Sequence, residues 1–449
     1  MNILYIHTHD SGRYIEPYGY NIPTPNLMSL AKQSALFRHC YCAGPTCSPS
    51  RAALLTGTLP HVNGMLGLAH RGFQMKDYNM HLSHYLKKAG YETVLCGVQH
   101  EAPDAGILGY EKILTTNTPV KSHFERDIVN ARAVAEYIRN SAGKTKNFFL
   151  SFGMFNTHRV FPDVTDAGNI ENISDISNIK QDYIMPPHVM YDIKTNREDM
   201  AGYHISAKIA DECVGIVMEA LANSGVEYNT VVVFTTDHGI SFPHMKCNLY
   251  DTGIGVAMMI KYPVSPANGT SNDCLISHID VFPTLCDLCG IEKPEWLTGK
   301  SFYSILNGDM TEINEEIFAE VTYHASYEPM RCIRTQRYKL IKRYDYHNSI
   351  VPANTDDGNS KQFLLAAGIM SRPVAREMLF DLYLDPLERE NLVNDSAYIS
   401  VYNDLSERLS VCMERTNDPL ITVNHRVPAP SGSKVNKLTC LHPVDYDFE

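Results

Sequence analysis

Cys47-Ser48-Pro49-Ser50-Arg51 runs into Ala52-Ala53-Leu54-Leu55-Thr56-Gly57, so a cysteine and an arginine one turn apart head an apolar, helix-forming segment. The start of a helix carries free N–H groups and the positive end of the helix dipole, a setting that suits an anion. Elsewhere, titratable side chains follow short apolar runs. His7, His9 and Asp10 follow Ile3–Ile6, His100 follows Thr93–Cys96, His158 follows Phe148–Phe152, and Asp237 and His238 follow Val231–Thr235. One histidine after a strand is ordinary. Four such placements point to a single polar site.

The elements that must position these residues are legible from periodicity. Short apolar runs, with Ala257–Ile260 as a fifth, alternate with longer helical patterns, the signature of a largely parallel sheet flanked by helices. Thr24-Pro25 reads as a helix cap followed by proline at the first helical position. Ile205, Ile209, Cys213, Val217 and Leu221 form one apolar helical stripe. In open α/β sheets, ligands bind beyond the carboxyl ends of the strands, where the histidines and aspartates fall. After residue 315 the pattern changes to strands of a smaller antiparallel sheet, at Ile317–Val321, Arg331–Arg334, Tyr338–Ile341 and Glu377–Leu382, and then a helix near Ile399–Met413. Residues 345–375, polar and Gly/Asn-rich, are expected to form a long loop at or near the rim of the site, and the tail from Asn424 to be irregular. The expected division is a catalytic α/β domain over 1–315 and a smaller α+β subdomain with its tail over 316–449.

Composition narrows the classes. The chain has 449 residues, 44% of them hydrophobic and 20% charged, enough for a large core. A net charge of -12 argues against a nucleic-acid partner but leaves room for a locally positive pocket and an anionic substrate. No apolar run reaches the roughly 20 residues of a membrane helix. Met1-Asn2-Ile3-Leu4 leads straight into a strand without a secretory signal pattern, so the expected location is cytoplasmic. The twelve cysteines lack a tight framework and read as buried free thiols, and Cys286 and Cys289 as packing residues of a helix, not a zinc site.

In its ordered motifs the chain resembles the type I, formylglycine-dependent sulfatases, and within them it looks most like the heparan N-sulfatase (sulfamidase) branch. The resemblance is carried by Cys47–Gly57 with His61-Val62-Asn63-Gly64-Met65-Leu66-Gly67-Leu68, and by Asp237-His238-Gly239-Ile240-Ser241-Phe242-Pro243. Glu320-Val321-Thr322, Tyr327-Glu328-Pro329-Met330-Arg331 and Leu382-Tyr383-Leu384-Asp385-Pro386 through Leu392 continue it. It implies an alkaline-phosphatase-like α/β sandwich. It also implies that a formylglycine-generating enzyme converts Cys47, with Ser48, Pro49 and Arg51 in the recognised motif, and that the aldehyde hydrate attacks sulfur. The chemistry is consistent: a thiolate attacking sulfate would leave a thiosulfate-type adduct with no easy exit, whereas a geminal diol can expel sulfate when its second hydroxyl loses a proton.

The resemblance further implies one divalent metal. The family places two adjacent aspartates after the first strand and an Asp-Asn or Asp-His pair after a later one; this chain has His9-Asp10 and Asp237-His238. Oxygen-only ligands suit the family's calcium, or magnesium, whereas an imidazole at position 9 suits manganese, zinc or iron. By the same resemblance Arg51 holds the hydrate and nearby carboxylates, His100 is the base that promotes sulfate loss, Lys246 binds sulfate, and His158 protonates the leaving group. The lysine of the family's Gly-Lys-x-His motif is Val98 here. His70, Arg71, His244, Tyr323 and His324 fall near substrate-contacting regions and are pocket candidates. The expected reaction is removal of sulfate from a small sulfated saccharide, as an N-sulfoglucosamine-type sulfamate or an O-sulfate. A phosphonate monoester or phosphodiester hydrolase on the same scaffold is the alternative, and a silent sulfated-sugar binding protein the third reading.

Overall fold

Val, Ile, Leu and Phe crowd the strands because most of them are covered on both faces, as parallel strands between helix layers must be. The structure, a computed structural model, describes residues 1–449 apart from 117, 119, 121–122, 160–179, 423–425, 446 and 449. Its strands are β1 (Asn2–His7), β2 (Ala35–Phe37), β3 (Cys40–Tyr41), β4 (Glu92–Gly97), β5 (Lys112–Leu114), β6 (Phe148–Gly153) and β7 (Thr230–Thr235). They continue with β8 (Met258–Lys261), β9 (Thr270–Asn272), β10 (Ile276–Ser277), β11 (Glu316–Tyr323), β12 (Tyr327–Thr335), β13 (Tyr338–Arg343) and β14 (Glu377–Asp381). Eight of them form one sheet in the order β5-β4-β6-β1-β7-β8-β2-β9, with only β8 running against the rest. β3 and β10 form a parallel pair, and β11-β12-β13-β14 an antiparallel sheet.

Strand alternation divides the core. Ile3 and Tyr5 of β1 join Val231 and Val233 of β7 on one face, packed against Leu54, Leu55, Phe282 and Leu285. Leu4 and Ile6 join Val232 and Phe234 on the other, against Ala131, Val134, Val214 and Val217 of helices His123–Arg139 and Lys194–Ala222. The small sheet is not independent of this packing. Ala319, Val321, Cys332 and Ile341 share the first core, while Ile333, Leu340 and Leu379 pack with Ala53, Leu405 and Leu409.

The adjacent strands β4, β6, β1 and β7 are parallel, so the four sets of His and Asp at their carboxyl ends leave the sheet at the same edge. The stretch 345–375 differs from the expected loop: it contains the helix Asn359–Ala366, with Ser360 and Lys361 buried. Its Gly/Asn-rich lead-in hides eight helical residues, held by contacts with charges distant in sequence such as Asp199. Helix Ile399–Arg415 packs on the small sheet as expected. The tail is irregular from residue 426 where described, and its start, Asn424, lies outside the described residues. All twelve cysteines are free, and Cys286 and Cys289 lie in helix Val281–Cys289. No helix among the described residues is long and apolar enough to cross a membrane.

Candidate active site

Helix Cys47–Thr56 begins after an extended Thr46 and is buried along its whole length, ending at Gly57 in the left-handed region. Cys47 is thus the first helical residue, and its Sγ lies 3.5 Å from His238 Nε2. The helix is fastened to the strand ends by its other polar side chains. Ser50 Oγ donates to the Asp237 carbonyl (2.5 Å), and Arg51 donates from Nη2 (2.9 Å) and Nε (3.2 Å) to Asp237 Oδ2. Arg51 Nη1 also donates to His7 Nδ1 (2.6 Å), which leaves His7 Nε2 to donate to Ser151 Oγ (3.3 Å). Burial and the facing guanidinium hold His7 well below the usual histidine range, so it stays neutral. Neither His7's role in seating Arg51 nor Ser151 was legible in the sequence.

Beyond β1 the chain turns sharply: Asp10 has φ 55° and Gly12 has φ 54°. The turn is closed by Asp10 N donating to Asp237 Oδ1 (2.8 Å) and Gly12 N to the His238 carbonyl (2.8 Å). Two imidazole nitrogens and two carboxylate oxygens are brought close there. His9 Nδ1 lies 2.8 Å from Asp10 Oδ1 and 3.2 Å from Asp237 Oδ2, and His238 Nε2 lies 3.3 Å and 3.7 Å from the same two oxygens. His9 and Asp10 gather with Cys47 and His158, and Asp10 gathers again with Cys47, Asp237 and His238, so two overlapping groups that share Asp10 and Cys47 could hold a divalent cation. Burial would push the two carboxyls up, but it is overcome at Asp10 by Lys246 and at Asp237 by His238 and Arg51, so both lie well below the usual carboxylate range. Burial lowers His9 to about 4, a neutral imidazole with a lone pair for a metal.

Lys246 reaches Asp10 Oδ2 (2.9 Å) and Asp356 Oδ2 (2.7 Å); burial opposes its charge, and the two carboxylates outweigh it and raise it well above the usual lysine range. His158 stands beside this group, with Nε2 3.9 Å from Asp10 Oδ2, Nδ1 on the Arg159 carbonyl (2.5 Å), and its ring edge-on to His9 at 4.5 Å. His100 packs 5.9 Å from His9, ring to ring, and its Nε2 lies 2.9 Å from Nδ1 of His70, stacked on it at 5.1 Å. Burial lowers His100 well below the usual range. His324 is buried, with Nε2 4.0 Å from Asp356 Oδ1. The site is therefore deep: Cys47, Asp10 and Lys246 are buried, and the partly exposed His100 and His158 and the exposed His70 form its rim.

Three pocket candidates lie elsewhere. Tyr323 is fully buried among Phe73 and Tyr327, with its hydroxyl donating to the Val427 carbonyl; it is a core residue because it faces inward from the end of β11. Arg71 spends its guanidinium on the C-terminal tail, at Lys434 O (3.1 Å), Asn436 Oδ1 (2.8 Å) and Pro443 O. His244, at φ 64°, lines a neighbouring cavity of about 330 Å³ with Cys247, Thr355 and Met330, which does not include Cys47, Lys246 or Asp356. Asp356 itself, from the segment expected only to border the site, was not anticipated.

A family model described as Sulfatase matches residues 1–291, more than half of the chain. The chain belongs to the sulfatase family. A second model, described as N-sulphoglucosamine sulphohydrolase, C-terminal, matches residues 240–356. Human N-sulphoglucosamine sulphohydrolase is 28% identical over 484 residues, covering 98% of this chain and 93% of that protein. A solved 2-O GAG sulfatase superposes with a TM-score of 0.70 at 22% identity, covering 96% of this chain and 95% of that one. The phosphonate monoester hydrolase of Agrobacterium radiobacter superposes with a TM-score of 0.67 at 18% identity, covering 92% and 96%. At these identities the two structures speak for the fold alone, the alkaline-phosphatase-like sandwich with its large, mostly parallel sheet.

Proposed function

We propose that this sulfatase removes sulfate from a small saccharide, N-sulfoglucosamine or a related sulfated sugar, with Cys47 converted to formylglycine and one divalent cation held by His9, Asp10, Asp237 and His238. The observation that carries the reading is the position of Cys47, at the start of a buried helix and 3.5 Å from His238 within the convergent His/Asp set. As a thiol it is poorly suited to attack: burial, reinforced by Asp10 and Asp237, pushes it well above the usual cysteine range, and Lys246 and Arg51 do not offset this. Hydrated formylglycine supplies an oxygen nucleophile together with a second hydroxyl whose deprotonation releases sulfate. A divalent cation supplies charge to neutralise sulfate oxygens and polarise the scissile bond.

The chain's own residues do the rest. Lys246 offers a buried ammonium to the sulfate oxygens, and Arg51 fixes Asp237 and the end of β1. With Nδ1 on the Arg159 carbonyl, His158 presents Nε2 as the atom that carries a proton to the departing nitrogen or oxygen. His100, lowered by burial and braced by His70, accepts a proton as sulfate departs. The mixed nitrogen and oxygen donors leave calcium and an imidazole-tolerant ion, such as manganese or zinc, as the candidates, and metal analysis of the purified protein decides between them. Cytoplasmic action on imported small sugars is part of the proposal; preferential cleavage of long polymer would contradict it.

His9 in place of a family aspartate and Val98 in place of a lysine favour one second reading, hydrolysis of phosphonate monoesters or phosphodiesters. Rates on matched sulfate, phosphonate and phosphate esters test the choice. Faster sulfate release is expected; faster release from the phosphorus esters would overturn the first reading.

A further inference from the structure

Asp356 carries two oxygens with different fates. Oδ2 is fully engaged, accepting from Lys246 Nζ (2.7 Å) and from Ser241 Oγ. Oδ1 makes no hydrogen bond among the described residues and faces His324 Nε2 at 4.0 Å. That separation is too long for a hydrogen bond, which needs about 2.7–3.2 Å. It matches the gap across one bridging oxygen, with two bonds of about 2.8 Å meeting at roughly a right angle. His324 is itself an incomplete group: it is 4% exposed, and its Nδ1 is buried without a hydrogen-bond partner among the described residues. The facing carboxylate favours the proton on Nε2, so the pair offers one donor and one acceptor, the complement of a hydroxyl group.

The pair is built to stay in place. On one side of Asp356, Ser360 Oγ (2.6 Å) and Ser360 N (3.3 Å) donate to Asp199 Oδ2, and Asp199 is paired with Arg159 at 2.5 and 2.9 Å. Arg159 Nε donates in turn to the Ser241 carbonyl (2.7 Å). Gly358 lets this segment approach: a Cβ there would fall 2.6 Å from Arg159 Nη1. On the other side, Asp357 is held by Lys361 (2.7 Å) and His442 (2.9 Å). A carboxylate needed only to balance Lys246 would not require its second oxygen to be kept free opposite a half-satisfied histidine.

We infer that Asp356 Oδ1 and His324 Nε2 together grip a sugar hydroxyl on the carbon next to the sulfated one. The inference rests on the sulfatase reading above and names what selects the substrate. Lys246 touches both Asp10 and Asp356, so the gripped group lies just beyond the sulfate, at the reach of a vicinal hydroxyl. In N-sulfoglucosamine the carbons next to the sulfated one are C1 and C3, and the gripped group is the 3-hydroxyl, which is a hydroxyl whether or not the sugar is linked through C1.

The test compares kcat/KM on N-sulfoglucosamine and on its 3-deoxy analogue, for wild type, Asp356→Asn and His324→Ala, each checked for folding by thermal melting. Wild type is expected to prefer the parent sugar by about 10²-fold, because the analogue leaves two buried polar groups unpaired. Both variants are expected to reduce that ratio to near unity, whatever happens to their absolute rates. Equal turnover of the two sugars by wild type would overturn the inference alone. So would an unchanged ratio in both variants, which would leave Asp356 as a counter-ion of Lys246. No turnover of either sugar by wild type whose residue 47 is converted would overturn the N-sulfoglucosamine reading together with this one, and no turnover of any sulfated sugar would overturn the sulfatase reading as well.

Discussion

Two buried clusters in this protein are made of the same residue types and do different things. The first is the His9–Asp10–Asp237–His238 group. The second joins His61, Glu320 and Asp418, which also offer three ligand atoms within 4.8 Å of one another. The difference is Arg331. Its Nε and Nη2 donate to Asp418 (2.5 and 3.0 Å), and Nη2 also lies 3.2 Å from Glu320 Oε2. Its Nη1 donates to Val321 O (2.9 Å), Met330 O (3.0 Å) and Thr322 Oγ1 (3.2 Å). His61 completes the set at 2.8 Å from Glu320 Oε1. A planar fork fills the middle of this cluster, so it clamps the segment after the Cys47 helix to the small sheet and the C-terminal region. In the first cluster the cations approach one carboxylate each, Arg51 at Asp237 and Lys246 at Asp10, and leave Asp10 Oδ1 facing two imidazoles. Proximity of acidic and imidazole groups marks both; only the placement of the cation tells a clamp from a site.

Four experiments break or sharpen this contrast. Arg331→Ala should have the largest effect on stability, about 3–5 kcal/mol in chemical unfolding, because it strands two buried carboxylates. Metal bound per folded molecule should not change, and a loss of metal in that variant would make the second cluster a metal site. Chelation of the wild type should lower its stability by roughly 2–3 kcal/mol when the ion was present at about a hundred times its dissociation constant. In Asp10→Asn, chelator should change nothing.

The third experiment is a pH series. Burial would raise Asp418, but Arg331 outweighs it and holds the carboxyl below its usual range. A depressed carboxylate gives stability that is present above its unfolded pKa of about 3.9 and is lost as pH falls through the lower folded value. Unfolding free energy measured from pH 5 down to pH 2 should therefore fall less steeply in Asp418→Asn, from a lower starting point. The smallest effect belongs to Tyr323→Phe. Removing its hydrogen bond to the Val427 carbonyl should cost about 1 kcal/mol and leave kcat/KM unchanged, as a core residue requires.

The sheet and the catalytic edge were legible because they depend on local signals. The β-branched run Val231–Thr235 favours a strand from its own residue types, and the residues next in the chain, here Asp237 and His238, leave the sheet at the strand end. The Cys47 helix was legible from the apolar, helix-forming run Ala52-Ala53-Leu54-Leu55 that follows Arg51. Two pocket candidates, Tyr323 and Arg71, turn away from the site because neighbouring residues face different ways. Tyr323 turns into the core and His324 toward Asp356; His70 stacks on His100 and Arg71 turns to the tail. Asp356 stands 110 positions from Lys246, and its place in the site depends on Arg159, Asp199 and Ser360, a network that no local pattern announces.

The measurement that tests the central claim most directly is sulfate release from N-sulfoglucosamine by protein produced together with a formylglycine-generating enzyme, set against Cys47→Ala made the same way. The account predicts stoichiometric conversion of residue 47, read from the mass of its peptide, with sustained turnover that the variant lacks. Turnover by Cys47→Ala, or none on any sulfated sugar by protein whose aldehyde and metal are both confirmed, would contradict it.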